Sequence, residues 1–247
     1  MNYIEDIKNE IKGMEGKYSA YDIFSDWIHM LAIAYSQVVN FKENREKEYF
    51  EISKKYTNHQ IEKFGELGAM LVDSYQFGEN EIRYNDILGE IYMTMDIGNK
   101  NTGQFFSPYN ISQIMANIAK PLEHKRVIKI YEPTVGSGGN IIAVCQKLKE
   151  TGINYQTQVK VIAQDLDYKA VYMSYVQFSI LGIPAVVFQG DALDGKYNSD
   201  NAFMTPMLKI NWNKLNMKNN SNEDSSWNIK ENKKIKEGQQ MNLLDYV

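Results

Sequence analysis

The stretch YEPTVGSGG, residues 131–139, has the residue types and spacing to hold a ligand. Gly136, Gly138 and Gly139 stand between the apolar run at 127–130 and a helical pattern that opens at Asn140. That order reads as strand, glycine loop, helix. Glycines let a backbone approach a ligand closely, and a helix start offers unpaired N–H groups and a partial positive charge. Glu132 beside the loop repels phosphate but suits an ammonium or ribose hydroxyls. Taken alone, the stretch also fits an ordinary strand-to-helix turn. Two further acids narrow the choice. Asp165 ends a second apolar run in AQDLD (163–167), and Asp191 follows a third in QGDAL (189–193). In a parallel sheet these strand ends converge on the edge that carries the glycine loop. An acid ending the second strand can accept both hydroxyls of a ribose. One just past the third can accept the exocyclic amine of an adenine. Together they describe a pocket for an adenosine whose tail is not a phosphate, such as S-adenosylmethionine.

Periodicity supplies the elements that must position these residues. Strands are expected at 127–131, 159–164 and 185–189, alternating with helices at 140–150 and 167–181, with a further strand around 202–210. That alternation predicts an α/β fold with a parallel, Rossmann-like sheet. Residues 1 to about 120 read as helical. Ile23, Trp27, Leu31, Ala34, Tyr35 and Val38 keep helical spacing, with Ser19 and Asp22 as a capping box ahead of them. Segment 45–56 reads as a charged, mostly exposed helix. Segment 60–76 places Ile61, Phe64, Leu67, Leu71 and Tyr75 on one face, and 80–97 does the same with Ile87, Leu88, Ile91 and Met95. Asn110 is placed to cap a short helix carrying Ile111, Ile114, Met115 and Ile118. All these stripes read as core-packing faces. Residues 211–240 are rich in Asn, Lys, Ser and Glu and have few apolar anchors. The expected organisation is a helical N-terminal region over 1–100, an α/β core over 101–210 and a polar, flexible tail over 211–247.

Composition narrows the function classes. With 247 residues, 43% of them hydrophobic, the chain can build one large domain or two smaller ones. No apolar run is long enough to cross a bilayer, and the N-terminus MNYIEDIKNE is acidic and polar rather than a signal. A cytoplasmic protein without a membrane partner is expected. The single cysteine, Cys145, falls inside an apparent helix, and His29, His59 and His124 are scattered. Neither a disulfide framework nor a metal site is expected. The net charge is −4 and the arginines are Arg45, Arg83 and Arg126 only. Bidentate readout of guanine is thus poorly supplied, although a local basic groove stays open.

The motifs as a set resemble the N6-adenine DNA methyltransferases of the kind that serve as modification subunits of type I restriction–modification systems. The residues that carry the resemblance are NDILGEIY (85–92), GQFFSP (103–108), YEPTVGSGG, AQDLD and QGDAL. They follow the family's order at about its spacing. The resemblance implies a Rossmann-like S-adenosylmethionine-dependent methyltransferase core behind a helical N-terminal region. It also implies S-adenosylmethionine as cofactor, and DNA and other restriction–modification subunits as partners. In the family the GQFFSP segment covers the methionine end of the cofactor, which implies Phe105, Phe106, Ser107 and Pro108. The glycine motif implies Glu132, Gly136, Ser137, Gly138 and Gly139, and the strand-end acids imply Asp165 and Asp191.

Departures from the family pattern bear on catalysis. Glu132 replaces the usual Asp, Thr134 and Val135 stand where Ala and Cys are common, and Asn140 stands where a large apolar residue is preferred. The family transfers its methyl group with an N-P-P-[YFW] loop. An amide or carboxylate oxygen and a backbone carbonyl accept hydrogen bonds from the adenine amine, and the ring stacks on the flipped base. The five prolines here are Pro108, Pro121, Pro133, Pro184 and Pro206, with no two adjacent. The nearest segment by position, Met204-Thr205-Pro206-Met207, has neither an amide side chain nor a ring. No catalytic residue is assigned, and the sheet is expected to be incomplete. In GQQMNLLDYV, Gln240, Leu243 and Leu244 resemble the pentapeptide with which bacterial proteins bind the replication sliding clamp. A short terminal element docking on its own domain fits the same residues. Three functions stay open: an adenine methyltransferase whose catalytic loop is degenerate or supplied by a partner; a non-catalytic protein acting on DNA, a restriction–modification complex or the sliding clamp; and a small-molecule methyltransferase with a rebuilt substrate site.

Overall fold

The computed structural model describes residues 2–77, 81–95, 105–119, 127–193 and 201–211. Four helices open the chain: α1 (Tyr3–Gly13), α2 (Ala20–Val39), α3 (Glu43–Ser53) and α4 (Asn58–Ser74). Ser19 and Asp22 form the expected capping box, and Thr57 and Gln60 form a second one ahead of α4. Each such cap contributes about 1 kcal/mol. Trp27 donates from Nε1 to the Phe64 carbonyl at 3.1 Å, which locks α2 to α4.

The inward face of α2 differs from the expected stripe. Ile23, Phe24, Trp27, Ile28, Ile33 and Ser36 are buried, whereas Ala34 is exposed and Val38 is 88% exposed. A helix that is apolar most of the way round offers two adjacent stripes, and tertiary packing selects between them. Helix α3 also departs from expectation. Arg45 is buried, with its guanidinium 3.9 Å from the Phe203 ring centroid and a hydrogen bond to the Ala202 carbonyl at 2.8 Å. A helix that reads as solvated therefore straps a distant strand.

The segment expected as one helix over 80–97 begins otherwise. Strands β1 (Gln76–Phe77) and β2 (Glu81–Ile82) pair antiparallel, and α5 (Ile87–Thr94) starts only after Asp86. The Asp86 carboxylate caps α5 by accepting from Gly89 N–H at 3.0 Å. Helix α6 (Tyr109–Ile118) has Pro108 in the cap position rather than Asn110, which lies in its first turn. It turns Ser112 and Ala116 inward and leaves Ile111, Ile114 and Met115 exposed, with Ile118 at 78%. The expected core stripe of α6 is thus an outward face.

Strands β3 (Ile128–Glu132), β4 (Val159–Asp165) and β5 (Ala185–Gln189) are parallel, and β6 (Phe203–Met204) joins β5 antiparallel. The order is β3-β4-β5-β6. Helices α7 (Gly139–Glu150), α8 (Tyr155–Gln158) and α9 (Tyr168–Ile180) complete the crossovers. The register aligns Glu132 with Ala163 and Asp165 with Gln189, so three strand ends share one edge. Helix α9 is buried on almost every side, between the sheet, α2 and α5. One connected apolar core runs from Ile7 in α1 to Phe203 in β6. The division expected at residue 100 falls outside the described residues. Among the described residues, no helix is long and apolar enough to cross a membrane.

Candidate functional site

Strand β3 delivers the chain to the glycine loop, and backbone hydrogen bonds shape it. Val135 N–H donates to the Gln164 carbonyl at 2.8 Å, and Gly138 N–H donates to the Val135 carbonyl at 2.9 Å. Gly136 and Gly138 have φ of 55° and 105°, a region that favours glycine. Space is as limiting as conformation. A Cβ on Gly136 would lie 2.9 Å from the Phe106 ring, and one on Gly138 would lie 2.7 Å from the Phe178 ring. The first contact shows that the FFSP segment closes directly onto the loop. Helix α7 then starts at Gly139 with no side-chain cap, leaving its first N–H groups open.

Asp165 joins the strand ends. Its Oδ2 accepts from Gly136 N–H at 2.9 Å, its Oδ1 from Asp167 N–H at 3.0 Å, and its carbonyl from Gly190 N–H at 2.9 Å. Above the loop lies a cleft of about 320 Å³. Of the residues expected from sequence, Phe105, Phe106, Ser107, Gly136, Ser137, Gly139 and Asp165 line it. Pro108, Glu132, Gly138 and Asp191 lie outside its lining. Gly138 sits beneath the loop against Phe178, and Glu132 accepts from Thr134 N–H at 3.4 Å. Asp191 is exposed one residue beyond Gly190, its carboxylate accepting from Leu193 N–H at 2.8 Å. Gln240, Leu243 and Leu244 lie outside the described residues.

Asp86, Ser112, Thr134, Val135 and Asn140 also line the cleft. The departure at Asn140 points to altered packing beside the cofactor, whereas the sequence attaches no ligand role to the other four. Asp86 stands inside the NDILGEIY motif, so its signal was present without a role attached. It is 4% exposed and accepts from the Ser137 hydroxyl, from Gln177 Nε2 at 2.8 Å and from Gly89 N–H at 3.0 Å. Gln177 Nε2 also donates to the Ser137 carbonyl at 2.6 Å. The Gln177 side-chain oxygen accepts from the Tyr75 hydroxyl and from Leu88 N–H at 3.1 Å. Burial holds the Asp86 carboxyl above the usual aspartate range, against the opposing pull of its three donors.

A second cleft, about 380 Å³, lies between α6 and α7, and none of the sequence-expected residues lines it. Gln146 there is already engaged by Tyr109 at 2.8 Å and Gln113 at 3.0 Å, so the glycine-loop cleft is the better candidate. Burial also pushes the Cys145 thiol well up, which removes it as a nucleophile. No cluster of metal-ligating side chains occurs among the described residues.

A parallel βαβ sheet, a glycine loop after its first strand and an acid ending its second define a Rossmann-like core. The family profile for N-6 DNA Methylase matches residues 83–244, and the chain belongs to that family. Among curated proteins it is similar to the type I restriction enzyme MjaIX methylase subunit of Methanocaldococcus jannaschii, with 26% identity over 149 residues. That match covers 58% of this chain and 23% of the relative, so the chain spans under a quarter of the relative's length. Two solved structures are also similar. One is a Listeria monocytogenes protein assigned to the class I S-adenosylmethionine-dependent methyltransferases, at 13% identity and TM-score 0.45, covering 77% of this chain and 54% of that one. The other is a type I restriction-modification methyltransferase subunit of Streptococcus thermophilus, at 11% identity and TM-score 0.41, covering 80% and 59%.

Proposed function

We propose that the glycine-loop cleft binds S-adenosylmethionine, and that the chain is the cofactor-holding part of an adenine-N6 DNA methyltransferase that does not transfer the methyl group unaided. The observation that carries this reading is the convergence of the Gly136 loop, the α7 start and Asp165 on one cleft. Its volume suits a small molecule. Among the described lining residues Asp165 presents an acid to the cleft and none is Lys or Arg, which favours a cationic nucleoside over a nucleotide. Each Asp165 oxygen accepts one N–H, and a carboxylate has about four acceptor sites, so capacity remains for ribose hydroxyls. The N–H groups at the α7 start suit the ligand's carboxylate. Phe105 and Phe106 supply an apolar cover, and Ser107 sits beside them. Asp191, on the same sheet edge, would serve the adenine end. When bound, the cofactor supplies an activated methyl group; these residues bind and orient it.

Transfer needs a group that holds the target amine. Met204-Thr205-Pro206-Met207 does not provide it, because β6 runs antiparallel to β5 and carries the segment to the opposite edge of the sheet. The Thr205 hydroxyl donates to the Ile183 carbonyl at 2.8 Å and accepts from Ala185 N–H at 2.9 Å, so it is committed to the fold. The adenine-holding loop is then degenerate or supplied by a partner, with DNA and restriction–modification subunits as the partners. The methylase-subunit relative supports that choice, whereas the comparisons lend no support to the sliding clamp.

Calorimetry with S-adenosylmethionine, followed by labelled-methyl transfer to mixed genomic DNA, tests both halves. Binding without N6-methyladenine is expected. No heat at millimolar ligand would sink the cofactor reading, and methylation by the pure chain would sink the claim of dependence.

A further inference from the structure

We propose that Asp86 is a positioning residue for the cofactor loop: with Gln177 behind it, it tethers Ser137 from beneath, so the motif serine anchors the loop instead of touching the ligand. The inference rests on reading the cleft as the cofactor site. Ser137 is 2% exposed, and both its side-chain and carbonyl oxygens are engaged below the loop, by Asp86 and Gln177. Its hydroxyl proton is spent on a buried carboxylate and is not offered to the cleft.

Gln177 leaves the arrangement no alternative. Its amide nitrogen donates to Asp86 and the Ser137 carbonyl, and its oxygen accepts from Tyr75 and Leu88 N–H. Both N–H groups and both lone pairs are used. Turning the amide over would set its oxygen against the Ser137 carbonyl and an N–H against the Leu88 N–H, two partners that cannot reverse their roles. The amide orientation is therefore fixed, and with it the acceptor left to Ser137. Gly89 completes the fit, since a Cβ there would overlap Asp86 and lie 2.6 Å from Ser137 Oγ. The structure thus joins NDILGEIY to the glycine motif, 51 residues on, as one device. A buried carboxylate is costly unless donors surround it, and here three do.

The test uses the full chain with Asp86→Ala, Asp86→Asn, Ser137→Ala and the double Ala variant. Asn can accept from Gly89 and Gln177 through Oδ1 and donate to Ser137 through Nδ2, so it preserves the tether without the charge. Two readouts are taken: S-adenosylmethionine affinity, and amide hydrogen exchange at Gly136 and Gly138 without ligand. Asp86→Ala should weaken affinity and speed exchange about tenfold, because one of the three hydrogen bonds it accepts holds the loop directly. Ser137→Ala should do the same, the double variant should be no worse than the worse single, and Asp86→Asn should restore both readouts. Unchanged exchange in Asp86→Ala, or losses that multiply in the double variant, would overturn the tether. Asp86→Asn as damaging as Asp86→Ala would overturn it too, by pointing to direct charge contact with the ligand. If Asp86→Ala does not fold, Tyr75→Phe removes one remote hydroxyl from the same network and should speed exchange at Gly138 about threefold; no change there refutes the proposal. Faster exchange in variants of a chain that binds no cofactor would refute the cofactor reading and leave the tether standing.

Discussion

Asp165 and Asp86 both hold the glycine loop, Asp165 from the cleft side through Gly136 N–H and Asp86 from beneath through the Ser137 hydroxyl. Their surroundings differ. Asp165 is half-buried, ends a strand and takes one backbone N–H on each oxygen. Asp86 is almost fully buried and takes a hydroxyl, an amide and a backbone N–H, all from the protein. An acid that braces a loop from the cleft keeps acceptor capacity for a ligand. One that braces it from the core commits that capacity to geometry. The first should govern affinity with little effect on stability, and the second should govern the shape of the loop.

The largest effect should come from crowding the inner side. Ala in place of Gly ordinarily stabilises a helix by about 1 kcal/mol. In Gly89→Ala the new Cβ overlaps Asp86 and crowds Ser137 Oγ, so the sign reverses, and a loss of about 3 kcal/mol in urea unfolding is expected. A neutral result would show that the inner brace gives way and would erase the contrast. Next comes the outer side. Asp165→Ala should cost about 1.5–3 kcal/mol of S-adenosylmethionine binding, the scale of hydrogen bonds to a charged acceptor. Its unfolding midpoint should move less than that of Gly89→Ala. Equal losses of stability would show that Asp165 is structural.

That contrast also explains what was legible in the sequence. Asp165 was readable because an acid ending the second strand of a parallel sheet has a general use, whatever surrounds it. The buried strand β5 was readable as a short apolar run bounded by Pro184 and Gly190, and the structure places it at Ala185–Gln189. Asp86 was not readable as part of the site. Its partners are 51 and 91 residues away, and no local pattern reports that they meet. Arg45 failed for the same reason: charge marks α3 as solvated, and Phe203 buries it from the far end of the chain. The α6 stripe failed in the other direction, since periodicity shows that a face is apolar and not whether anything covers it.

A smaller effect tests the inner brace by pH. Burial raises the folded value of Asp86 above the ordinary aspartate range, so the folded chain keeps a proton that the unfolded chain releases. Between the ordinary range and that raised value the native state binds more protons, and stability falls as pH rises. Asp86→Asn removes this dependence. The unfolding free energy of the parent relative to Asp86→Asn should therefore be highest at low pH and decline as pH climbs through the window. A flat difference would place Asp86 in a wetter environment, closer to that of Asp165.

The smallest effect concerns a lining residue that belongs to neither side. Asn140 accepts from the Ser112 hydroxyl at 2.8 Å and ties α7 to α6 where the family resemblance expects a large apolar side chain. Asn140→Leu removes one partly buried hydrogen bond, so about 1 kcal/mol of stability should be lost in thermal unfolding. Affinity for S-adenosylmethionine should change by less than about twofold, because both acids keep every bond they make to the loop. A larger loss of affinity would mean that the α6–α7 tie also sets the loop. Two acids would then be too few to account for its shape, and the division of labour between them would have to include the segment that carries Phe105 and Phe106 into α6.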